Sequence, residues 1–130
     1  MGAWRLSVAD YFVSPKDHTD LRVESSQLAQ ALAERWPDVR FIERDDAANT
    51  LRWAVSTPEG RELWGELQAS GQAVALEGDV VDAAQFARWL RRQIPGHYSL
   101  IFYDEGYAHD VPLTDSTSVD ELVKPFLVQS

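Results

Sequence analysis

Apolar residues recur along this chain at two periods, and the period changes from stretch to stretch. Between Leu6 and Val13, Leu6, Val8 and Phe12 share one parity that Asp10 interrupts, which predicts a first strand broken at Ser14-Pro15. From Ser25 the period becomes helical. Leu28, Leu32 and Trp36 stand four apart, Ser25 or Ser26 is placed to cap, and Pro37 stops the run. Val39 and Phe41 flank Arg40, and Leu51, Trp53 and Val55 alternate with Arg52 and Ala54, so period two returns.

Thr57-Pro58-Glu59-Gly60 reads two ways. It could open a helix, with Thr57 as cap and Pro58 in the first turn. It could also be a tight turn between strands, the reading favoured by Gly60, Gly65 and the shared parity of Leu63 and Leu67. A second turn at Ala69-Ser70-Gly71-Gln72 leads into Val74 and Leu76. These segments predict an antiparallel meander of about four strands.

Asp79 or Asp82 caps a second helix, with Gln85 three residues after Asp82 as in a capping box. Phe86, Trp89, Leu90 and Ile94 make its buried face and Arg88, Arg91 and Arg92 its wet face, and Pro95-Gly96 ends it. Tyr98–Tyr103 is the most apolar strand, expected to be covered on both faces. Tyr107–Leu113 is edge-like because of Pro112, and Ser116 or Ser118 caps a last helix that Pro125 should stop. The fold class is therefore α+β: a single domain over residues 1–130, one mostly antiparallel sheet with about three helices packed on it.

Composition narrows the chemistry. Without cysteine there is no disulfide framework, thiolate zinc site or thiol nucleophile. Twelve Lys and Arg against twenty-one Asp and Glu give a net charge of −9, which repels phosphate backbones and anionic lipid, so neither nucleic acid nor membrane is an expected partner. Asp10 breaks the apolar N-terminal stretch, no segment approaches a membrane span, and the expected location is cytoplasmic.

Catalytic constellations are sparse. His97, Asp104 and His109 are the ligand types of a metal site, but His97 and Asp104 are seven apart on one strand and point to opposite faces, so no metal and no cofactor is expected. Ser99 lacks the glycine-flanked elbow of a catalytic serine, and no glycine pattern makes a phosphate loop. Trp36, Trp53 and Trp89 fall on predicted core faces, whereas Trp64 and Trp4 do not fit cleanly.

Charge asymmetry is the one feature above this background. From His97 onward there are six acids and one base, a net −5 in about a quarter of the chain. Around the predicted turn, Tyr103, Asp104, Glu105, Tyr107, His109 and Asp110 interleave rings with carboxylates, a composition suited to docking a basic protein. In general character the chain looks like small acidic immunity or inhibitor proteins that neutralise a basic toxin by covering it. Two alternatives stand beside this expectation. One is a small-ligand or accessory enzyme domain with a pocket near His97 and His109; the other is a homo-oligomeric subunit joined through Trp64 or a sheet edge.

Overall fold

The computed structural model describes residues 9–42, 51–106 and 109–127. Among these residues seven strands form one antiparallel sheet, and three helices accompany it. In chain order they are β1 (Ala9–Pro15), α1 (Ser25–Arg35), β2 (Arg40–Phe41), β3 (Arg52–Ser56), β4 (Glu62–Leu67), β5 (Val74–Gly78), α2 (Val80–Arg91), β6 (Leu100–Asp104), β7 (Asp110–Leu113) and α3 (Val119–Leu127). Spatially the strands run β2-β3-β4-β5-β1-β6-β7. The meander is thus present as β2 to β5, and β1 joins it to the C-terminal hairpin. The α+β reading of the sequence holds.

Thr57 to Gly60 is a turn. Gly60 donates its N–H to the Thr57 carbonyl at 2.9 Å and has φ of 88°, a conformation open to glycine at no steric cost. The chain then reverses into β4, as the strand parity of Leu63 and Leu67 requires.

One face of the sheet holds the core. Tyr11, Val13, Trp53, Val55, Leu63, Leu67, Val74, Leu76, Phe102, Val111 and Leu113 bury against α2 and its neighbours. Phe86 of α2 stacks on Trp53 at 5.8 Å and on Trp36 at 5.2 Å, and Trp89 closes edge-on against Trp36 at 5.0 Å. Gly65 lies directly opposite Trp53, and a Cβ placed there would come within 2.3 Å of the indole ring. The glycine inside β4 is therefore the space that lets Trp53 lie flat over the sheet. A second aromatic group joins Tyr11, Phe102 and Phe126, with ring centroids 5.5–5.6 Å apart.

Several local expectations change. The inward parity of β1 belongs to Tyr11 and Val13, not to Phe12, because Val13 meets Val74 and Phe102 across the two neighbouring ladders. Ser25 and Ser26 do not cap α1: Glu24 is the N-cap residue, without a side-chain hydrogen bond. Asp79 caps α2 by accepting the Val81 N–H at 3.0 Å, whereas Asp82 is buried in the first turn and takes the Arg61 guanidinium bidentately at 2.8 and 2.9 Å. Ser118 and Glu121 form a reciprocal capping box on α3. Pro125 does not stop that helix, which runs on to Leu127; so near the C-terminus the proline removes a single backbone bond.

β6 starts at Leu100 and lies next to the edge strand, with helices on one side only among the described residues, so it is not a central strand covered by helices on both faces. Ile101, on the outer side between Ser14 and Pro112, is nonetheless buried. Arg91 leaves the wet face predicted for it and is buried, because the last turn of α2 brings it over the end of the β6–β7 hairpin. No helix among the described residues is long and apolar enough to cross a membrane.

Candidate interaction face

Antiparallel pairing sends alternate residues of every strand to the face that, among the described residues, carries no helix. Across the sheet, Arg40, Ala54, Trp64, Glu77 and Asp10 form one row on that face. Arg52, Glu66, Ala75, Phe12, Tyr103 and Asp110 form the next. Two aromatics on neighbouring strands make contact: Phe12 stacks on Tyr103 at 5.4 Å. The Tyr103 hydroxyl is 2.9 Å from Ser14 Oγ, which fixes the ring against the sheet. Trp64, 36% exposed, stands over the meander with the Arg40 guanidinium 5.7 Å from its ring centre.

Among the described residues acids outnumber bases here. Asp10, Glu62, Glu66, Glu77 and Asp110 share the face with Arg40 and Arg52. Arg40 pairs with Glu62, and Arg52 lies 3.8 Å from Glu66. Asp10 and Glu77 are directly opposite each other, an arrangement of like charges that weakens a sheet. Between the two rows Asp10, Phe12, Trp64, Glu66 and Glu77 bound a shallow depression of about 190 Å³.

The run singled out from the sequence does not act as a unit. Tyr103 and Asp110 are opposite each other on the open face. Asp104 has the other parity, pairs with Tyr11 and accepts the His109 backbone N–H at 3.5 Å. Glu105 is exposed in the turn, with its N–H on the Asp10 carbonyl at 3.1 Å. His109 sets its ring edge-on to Phe126 of α3 at 5.7 Å. Tyr107, like Trp4, lies outside the described residues. Burial raises the Tyr11 phenol above its ordinary range, and the nearby charges of Asp79 and Asp104 add to the shift.

His97 and His109 do not share a pocket. The register pairs Leu100 with Leu113 at one end of the hairpin and Tyr103 with Asp110 at the other, so the histidines flank opposite ends. Among the described residues no group of three His, Asp or Glu side chains is placed to hold a metal. The sheet edges offer little to a second copy: β2 is two residues long and β7 carries Pro112. A cleft of about 470 Å³ opens elsewhere, between the start of α1 and the end of α2, where Tyr98 donates to Asp20 at 2.8 Å.

Sequence reasoning missed Phe12, Asp10 and Glu77. Asp10 was itself the signal: a charge within a strand marks the wet parity, which makes Phe12 its neighbour on the outside. Compared with family models, with curated proteins and with solved structures, the chain finds no match.

Proposed function

We propose that this protein is a non-catalytic, cytoplasmic binding domain that docks a basic protein on the open face of its sheet, in the manner of immunity or inhibitor proteins. One observation carries the reading: the register sets Trp64, Phe12 and Tyr103 among Asp10, Glu66, Glu77 and Asp110 on a face that no helix of the described residues covers. Half-exposed rings supply apolar area and a π surface for Lys or Arg, and the carboxylates supply attraction at long range.

Capture from a lysate of the source cells, followed by surface kinetics with the identified protein at two salt concentrations, tests the reading. A basic partner is expected. Trp64→Ala should raise its dissociation rate, and Asp10→Asn with Asp110→Asn should slow association and flatten the salt dependence. Glu34→Gln with Asp120→Asn, on the helical side, should change neither rate. An acidic partner, or binding sensitive to the helical-side pair and indifferent to the sheet variants, overturns it.

A further inference from the structure

We propose that a second site, unrelated to the open face, binds a small organic monocarboxylate through Arg91. The arginine is only 4% exposed, yet its guanidinium is poorly engaged. Among the described residues Nη1 donates to the Ile94 carbonyl at 3.3 Å, and Nε lies 3.9 Å from Asp115 Oδ1, too far for a hydrogen bond. Asp115 is itself 77% exposed, so it is a loose counter-ion. Arg61, by contrast, satisfies a buried carboxylate with two good bonds.

Among the described residues most of its five N–H groups have no protein acceptor, yet the nitrogens that carry them are not sealed from water, so they stay open to an acceptor arriving from the adjacent cleft. The place for one is adjacent. Arg91 lines a cleft of about 430 Å³ at the hairpin end where Leu100 pairs with Leu113, with Ser99 and Pro112 also in its wall.

The fork of a guanidinium matches the two oxygens of a carboxylate. Three features disfavour a more highly charged anion such as phosphate: the net charge of −9, Asp115 at the mouth, and the negative end of the α2 dipole. Pro112, which is exposed, and Tyr98, which is half-buried, offer apolar surface to a short hydrocarbon body. Asp115 competes with the ligand for the same donors and so acts as a weak gate.

Titration of the whole protein with butyrate and, separately, inorganic phosphate, followed by the NMR signal of the Arg91 Nε–H, tests the site. Butyrate should give a saturable shift at roughly millimolar concentration, as expected for so few atoms. Phosphate should bind about tenfold more weakly. Gly96→Leu offers a blocking variant that keeps the arginine. A Cβ at Gly96 would lie 3.7 Å from Nη2, an ordinary contact, and Gly96 is not among the positive-φ glycines. This variant should abolish the butyrate shift, and Asp115→Asn should strengthen binding severalfold. The proposal fails if the Arg91 signal does not saturate, if Arg88 and Arg92 shift equally, or if Gly96→Leu leaves the response intact. Phosphate binding as tightly as butyrate overturns the ligand class.

Discussion

On the face that carries the helices, Trp53, Phe86 and Trp36 stack in succession, and the buried carboxylate of Asp82 is matched by Arg61. On the opposite face Phe12, Trp64 and Tyr103 stand among carboxylates, and two of those acids oppose each other across a ladder. Both faces are rich in aromatics. On one side the rings are sealed among apolar partners; on the other, even where Phe12 stacks on Tyr103, they border charge and water. Aromatic content alone therefore does not separate a core from an interface, and what surrounds the rings does.

Removing packing from the helical face should have the largest effect. Leu100→Ala, at a buried position of the main cluster, is expected to lower unfolding free energy by about 4 kcal/mol in chemical denaturation, through lost burial and a cavity. A loss near zero would make β6 peripheral. Gly65→Ala should cost about 3 kcal/mol, because the new Cβ drives into the Trp53 ring. Much of that cost should vanish in a Trp53→Phe background, which removes the atoms of the clash; additive losses would show that the ring is not the cause.

Alkaline pH probes the same face from within. The Tyr11 phenol is raised by burial and by Asp79 and Asp104, and that of Tyr98 by its hydrogen bond to Asp20. Both groups hold their protons more tightly when folded. Their contribution is complete below the unfolded value near 10 and is lost as pH rises through the higher folded values. Stability should therefore fall in that alkaline window, and Tyr11→Phe should flatten the decline. On the open face Trp64→Ala should change stability by only about 0.5 kcal/mol. Asp10→Asn should raise it by about 0.3 kcal/mol at low salt, an increment that added salt removes if opposition to Glu77 is its source.

Most of the architecture was legible because it depends on period. The meander, the three helices and the turns at Thr57 and Ala69 follow from where apolar residues recur and where glycine and proline interrupt them. What escaped depends on which of two faces a strand turns inward. In β1, Tyr11 and Val13 are as apolar as Phe12, so local alternation cannot choose; the ladders to Val74 and Phe102 do. The same blindness treated Tyr103 to Asp110 as one surface, although alternation divides its members between two sides of a sheet. Arg91 escaped for another reason. A helix has no fixed wet side until the rest of the chain is placed around it, and here a hairpin more distant in sequence covers the arginine.

The position of β1 has a consequence in time. The first strand is held on one side by β5 and on the other by β6, and the Ser14–Tyr103 contact joins residues 89 apart in sequence. A chain emerging from the ribosome can close its meander and lay its first strand on β5 early, but the other edge of that strand must wait for β6, in the last quarter, to be made. Such long-range closure slows folding. Until it is complete, the β6-facing edge of β1 stays open and can recruit strands from other nascent chains. Shortening the wait, by a circular permutation that moves β1 beside β6 in sequence, should speed folding while leaving the finished sheet as it is.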